Sequence, residues 1–138
     1  MAHRKLYVNL PVRDVKRSIE FFAKLGFEFD PQFASENGAC LVINADSSVM
    51  LVTEALFKTF SNREICNTRT HNEALCTVSC ESRAEVDGLV KLAGENGGKP
   101  SGEPQDHGFM YDWGFFDPDG HGWGVLCMTP GAAAGDRG

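Results

Sequence analysis

Five consecutive residues, Asp117-Pro118-Asp119-Gly120-His121, bring together the side chains best suited to chemistry in this chain. Two carboxylates two positions apart beside an imidazole could serve a divalent cation or a proton transfer. Turn chemistry accounts for the same residues without any ligand, because proline presets the turn dihedral, glycine accepts positive φ, and aspartate hydrogen-bonds local backbone. A calcium loop is disfavoured: the further oxygen ligand before the glycine and the terminal glutamate of an EF-hand are both absent. The remaining histidines, His3, His71 and His107, are scattered, and no His-x-x-x-His pair supports a metal site by spacing. Neither a glycine-rich phosphate loop nor a Gly-x-Ser-x-Gly nucleophile signature occurs. The five cysteines, Cys40, Cys66, Cys76, Cys80 and Cys127, are odd in number and form no C-x-x-C pair. They read as reduced, mostly buried residues and not as a disulfide framework or zinc knuckle.

A second constellation is aromatic. Phe109, Tyr111, Trp113 and Phe115 share one parity, and alternate residues of a strand share one face of a sheet. Such a wall either packs against a helix as plain core or lines a concave sheet open to a ligand. Metal-free acid–base chemistry, if any, falls to Tyr111, Asp112 or His107.

The elements that must position these residues follow from periodicity. Leu6 to Val12 has strand character and ends at Asp14, a helix cap. Val15, Ile19, Phe22 and Leu25 then form an apolar stripe that stops at Gly26. Short strands are expected at Phe27 to Asp30, Ala39 to Asn44 and Val49 to Thr53, with Asp46-Ser47-Ser48 as the last turn. From Glu54 to Asn72 the pattern dissolves, with a short helix expected around Ser61 to Cys66 from the capping-box spacing Ser61-x-x-Glu64. Ala74 to Cys80 reads as a strand. Ser82 and Glu85 form a second capping box before the stripe Val86, Leu89, Val90 and Ala93, which ends at Asn96-Gly97-Gly98. Phe109 to Phe116 and Gly122 to Met128 complete the pattern, and a further strand is expected near Lys99.

The second half thus repeats the element order of the first, which predicts an α/β (α+β) chain of two βαβββ modules. The expected organisation is a single domain over residues 1–128, with module one at 5–54, a crossover at 55–72 and module two at 73–128. Residues 129–138 are small and polar and are expected to be disordered. At 138 residues one core suffices. A net charge of −6 and no basic run exclude nucleic acid and anionic membranes as expected partners. No secretory signal and no apolar run near the roughly 20 residues of a membrane span is visible, so the expected compartment is the cytoplasm.

The segments Leu6-Tyr7-Val8-Asn9-Leu10-Pro11-Val12, Arg13-Asp14-Val15-Lys16-Arg17-Ser18-Ile19-Glu20-Phe21-Phe22 and Leu25-Gly26-Phe27 resemble the glyoxalase, bleomycin-resistance and extradiol-dioxygenase superfamily, also called vicinal oxygen chelate (VOC). Phe116 to Trp123 resembles the end of its second module. With Pro104 to Tyr111 it is similar to a bacterial subgroup labelled glyoxalase-like, or predicted lactoylglutathione lyase. The resemblance covers the chain to about Met128 and implies a cup-shaped mixed sheet and a homodimer. In metal-holding members, His, Gln or Glu ligands stand at positions that fall here on Tyr7, Met50, Leu75 and Gly124. A slip of two residues brings in Asn9 or Glu73. With a four-residue hairpin loop, Phe116 is expected opposite His121 and Trp113 opposite Gly124, where the indole would fill the space of the lost ligand.

The function implied is a small-molecule-binding protein of the sequestration or resistance type, without the usual metal and with no other cofactor. Its expected pocket residues are Tyr7, Asn9, Met50, Tyr111, Trp113 and Phe115. The alternative is a metal-dependent glyoxalase-like lyase or isomerase, or a dioxygenase, holding Zn, Ni, Mn or Fe by unorthodox ligands among Asn9, Glu54, Glu73 and His107.

Overall fold

A computed structural model of the chain describes residues 4–129. Thr129 is the one residue of the expected tail within that range; His3 and residues 130–138 lie outside the described residues. The contacts divide the chain after Asn67 into two units.

The first unit runs β1 (Leu6–Val12), α1 (Val15–Lys24), β2 (Glu28–Ser35), β3 (Gly38–Asn44), β4 (Ser47–Thr53) and α2 (Glu54–Phe57). Its sheet has the order β1-β4-β3-β2, with β1 parallel to β4 and the other pairs antiparallel. Asp14 caps α1 by accepting from the Arg17 amide at 3.1 Å. Val15, Phe22 and Leu25 of the predicted stripe are buried, but Ser18 and Phe21 are buried too, while Ile19 is only half-buried. The helix is therefore turned about its axis toward Ser18, whose small side chain faces inward. Phe21 and Phe22 meet edge to face at 4.9 Å, and Phe22 meets Phe27 at 5.7 Å. Leu10, Leu51 and Ala39 lie side by side across three strands and are fully buried. Burial of such large aliphatic and aromatic side chains stabilises the unit by about 1.5–3 kcal/mol each.

Three local expectations are corrected here. Strand β2 runs to Ser35 and not to Asp30, with a register shift between those residues. It is an edge strand with an exposed outer half, so Pro31 costs it no ladder bond and its polar residues give no apolar signal. Strand β4 starts at Ser47, because Asn44 Oδ1 accepts from the Asp46 amide and the Ser47 hydroxyl and closes the turn early. The crossover helix is Glu54–Phe57, capped by Thr53, and not Ser61 to Cys66. The Ser61 hydroxyl accepts instead from the Arg63 amide two residues on, a turn that competes with helix capping.

The second unit contains β5 (Leu75–Ser79), α3 (Arg83–Glu95), β6 (Lys99–Pro100), β7 (Gln105–Asp106), β8 (Met110–Phe116) and β9 (Gly122–Met128). Strand order is β5-β9-β8-β6, with β7 also on β8 and β5 parallel to β9. Ser82 accepts from the Glu85 amide, and the Glu85 carboxylate reaches back to the Glu81 amide at 2.7 Å. Helix α3 packs Val86, Val90 and Ala93 onto the sheet face that carries Phe115, Trp123, Val125 and Cys127. The Phe115 and Trp123 rings lie parallel there, with centroids 6.3 Å apart.

The β8–β9 register differs by one residue from expectation: Phe116 pairs with Gly122, Trp113 with Val125, and Gly114 with Gly124. Asp117 causes the shift. Its amide donates to His121 O, and its Oδ1 accepts from the amides of Asp119 (2.9 Å) and His121 (3.0 Å), so five residues and not four form the loop. A one-residue slip exchanges the faces of a strand relative to its partner. Gly124 therefore has glycine beside it, on the face opposite Trp113. Among the described residues no helix is long and apolar enough to cross a membrane.

Candidate functional site

The face of the second sheet opposite α3 carries a cavity of about 340 Å³. Its floor is backbone, at Gly114, Gly122 and Gly124. Each glycine is held by close approach: a Cβ on Gly114 would meet Trp123 O at 2.7 Å, one on Gly122 would meet Leu75 Cδ2 at 2.6 Å, and one on Gly124 would meet Thr77 Oγ1 at 2.6 Å. Leu75 and Phe116 supply apolar wall. Asn72, Thr77, Ser101, Glu103, Gln105 and Asp112 supply polar groups.

The expected pocket residues separate. Tyr7, Asn9 and Met50 lie in the first unit, where Asn9 pairs with Met50 and Tyr7 with Ser48. Trp113 borders the cavity, with its indole N–H donating to Gly102 O at 3.0 Å. Phe115 is wholly buried under α3, outside the cavity lining. Tyr111 also turns toward α3: its hydroxyl donates to Asp87 at 2.6 Å, and the Arg83 guanidinium lies 4.9 Å over its ring. Of the aromatic wall, these two members thus belong to the helix side.

The hydrogen bond to Asp87, with smaller help from desolvation and the Asp87 charge, pushes the Tyr111 hydroxyl up to about 12. The neutral phenol is the form that donates to the carboxylate, so ionisation is delayed. In a Tyr7→Phe background, where Tyr111 is the remaining tyrosine, absorbance titration should give one step near pH 12. Adding Asp87→Asn should move that step down toward 10, the ordinary value. An unmoved step would remove Asp87 as the cause.

Beneath one end of the cavity, Asp117 is buried and binds three donors: the amides of Asp119 and His121 on Oδ1, and the Trp123 indole N–H on Oδ2 at 3.1 Å. Burial pushes this carboxyl above its usual range, while the His121 charge and the indole N–H pull it back. His121 Nδ1 sits 2.6 Å from Glu73 Oε1. Thr68 ties the adjoining segment down by donating to Asp119 O. The conspicuous Asp-Pro-Asp-Gly-His string is thus built into a closed turn.

At the cavity edge, His107 Nε2 is 3.5 Å from Asp112 Oδ2. Two thiols of this unit are held in the less reactive protonated form: burial pushes Cys80 up to about 11, with Glu85 and Cys127 adding to it, and burial also raises Cys76.

The positions that the resemblance assigns to metal ligands carry no His, Gln or Glu. Leu75 and Gly124 have no side-chain donor atom, Thr77 opposite Gly124 offers a neutral hydroxyl, Met50 a thioether and Tyr7 a phenol. Of the unorthodox candidates, Asn9 stands on β1 opposite Met50, Glu54 stands in the first turn of α2, Glu73 faces His121, and His107 faces Asp112. Among the described residues, no group of three or more His, Cys, Asp or Glu side chains is placed to hold an ion.

Asn72, Thr77, Ser101, Glu103 and Gln105 escaped the sequence reading because polar residues on short strands and bends carry no periodic signal. The glycines did carry one. An isolated glycine inside a strand marks close backbone approach, and Gly114, Gly122 and Gly124 are three such positions on paired strands.

Several solved structures share this architecture. A hypothetical protein from S. aureus is 27% identical over 92% of this chain and 95% of its own, with a TM-score of 0.77. A glyoxalase/bleomycin resistance protein/dioxygenase family enzyme from Burkholderia phytofirmans PsJN is 18% identical, with coverages of 89% and 97% and a TM-score of 0.73. A glyoxalase-related enzyme from Fulvimarina pelagi is 15% identical, with coverages of 94% and 90% and a TM-score of 0.76. No curated protein matches the chain. Residues 5–125 match the family described as Glyoxalase/Bleomycin resistance protein/Dioxygenase superfamily. By that match, and by the two modules of mixed sheet and helix that it spans, the chain belongs to the glyoxalase/bleomycin resistance protein/dioxygenase superfamily.

Proposed function

We propose that the protein binds a small molecule without the metal centre usual in its superfamily, in the manner of sequestration proteins. The observation that carries this reading is the cavity of the second unit, floored by Gly124, the position to which the family resemblance assigns a ligand of metal-holding members. A backbone floor lets a ligand lie against the sheet where a carboxylate would otherwise project. Polarisation of a substrate oxygen by a Lewis acid needs donors that Leu75, Thr77 and Gly124 do not supply. In this reading Trp113 borders the ligand. Tyr7, Asn9 and Met50, neighbours on β1 and β4, form a second aromatic and polar surface on the first sheet.

The test is metal content of the purified, untagged protein by mass spectrometry, followed by calorimetric titration with zinc, nickel, manganese and iron(II). Substoichiometric metal and no saturable heat are expected. One tightly held ion per chain would overturn the proposal and favour a metal-dependent lyase, isomerase or dioxygenase with ligands outside the family positions.

A further inference from the structure

The side chains of Asn72, Thr77, Ser101, Glu103 and Gln105 border the cavity of the second unit and make no hydrogen bond to another described residue. Asp112 has only the 3.5 Å approach of His107. No lysine, arginine or histidine belongs to the lining; Lys99 lies nearby, with its ammonium over the Phe116 ring at 5.7 Å. Six polar groups of mixed character therefore converge on one concave surface, beside the apolar Leu75 and Phe116 and above a glycine floor.

Different ligand chemistries fare differently here. A purely apolar ligand would strip water from the polar groups and return nothing, at about 1–3 kcal/mol for each group left unpaired. An anion would face Glu103 and Asp112. An organic cation would satisfy those carboxylates but leave unmatched the amide N–H₂ groups of Asn72 and Gln105 and the hydroxyls of Thr77 and Ser101. A ring bearing several hydroxyls suits the whole set, since each hydroxyl donates once and accepts twice, giving to carboxylates while receiving from amides and hydroxyls. The C–H face of such a ring needs a small apolar surface, which Leu75 and Phe116 provide. It also needs close approach to the sheet, which Gly114, Gly122 and Gly124 permit. A cavity of about 340 Å³ falls at the small-ligand end of binding pockets.

We infer that the cavity takes an uncharged polyhydroxylated ring of saccharide size. This rests on the proposal that the cavity is the protein's binding site. The hydrogen-bonding set then gives selectivity, because an analogue lacking a hydroxyl leaves one of these side chains unpaired.

The experiment is amide-resolved NMR titration of the full chain with D-glucose, D-galactose, N-acetyl-D-glucosamine, sucrose and trehalose, and in parallel with benzamidinium, benzoate and naphthalene. At least one saccharide should give saturable shifts at Gly114, Gly122 and Gly124. Asn72→Leu and Gln105→Leu, both at exposed positions, should each weaken it by roughly 3- to 10-fold, with circular dichroism unchanged. Saturable shifts at these glycines from an aromatic probe, with none from any saccharide, would overturn the ligand class and leave the binding proposal standing. No shift there from any probe would overturn both. Saccharide shifts that both variants leave unaltered would overturn the assignment of the recognising side chains.

Discussion

Asp117→Ala is expected to lower the unfolding free energy by about 3–5 kcal/mol, read as a fall in the urea midpoint at constant m-value. The carboxylate closes the β8–β9 loop from inside: two amides share Oδ1 and the Trp123 indole takes Oδ2. Alanine leaves three donors without that acceptor at a site where Asp117, Asp119 and His121 are all buried. The conservative variant separates the bonds. Asp117→Asn keeps an oxygen for the two amides but turns an N–H₂ toward the indole N–H, donor against donor, so a smaller loss of about 1–3 kcal/mol is expected. Equal losses from the two variants would show that the amides on Oδ1 contribute little and that the indole bond carries the effect.

The second large effect separates core from pocket. Phe115→Ala should cost about 3–5 kcal/mol, because the ring is fully buried against Trp123 and beneath α3, where its removal leaves a void that the sheet backbone cannot close. The folded fraction should bind a cavity ligand with unchanged affinity. Gly124→Leu should do the reverse. It places side-chain atoms in the cavity and against Thr77, so binding is lost with a stability penalty of about 1–3 kcal/mol for overpacking. A stable Phe115→Ala protein that no longer binds ligand would return Phe115 to the pocket and contradict the packing described here.

These outcomes bear on the expected aromatic wall. Parity correctly groups Tyr111, Trp113 and Phe115 on one side of β8, since alternation is a property of any strand. It does not say which side the helix covers. That depends on where α3 returns to the sheet, and it returns on the side of Phe115, so the opposite parity, Asp112, Gly114 and Phe116, faces the cavity, and of the aromatic wall Trp113 alone also borders it.

Local chemistry accounts for what the sequence determined by itself. The cap Asp14, the cap Ser82 with Glu85, the glycines that end the helices and the strand alternation all act within a few residues, and β1, β9 and the repeated module order follow from them. The family resemblance is carried by the same local segments. What only the tertiary structure decided is nonlocal. The β8–β9 register rests on how far inside its loop Asp117 binds, and one residue of slip exchanges Trp113 for Gly114 beside Gly124. The cavity's polar groups come from a crossover residue, the parallel strand β5, the short segment from Ser101 to Gln105 and Asp112 on β8, brought together by the pairing of strands as distant in sequence as β5 and β9. No short-range pattern encodes such a set, because each member is an ordinary solvated side chain until the sheet places it next to the others.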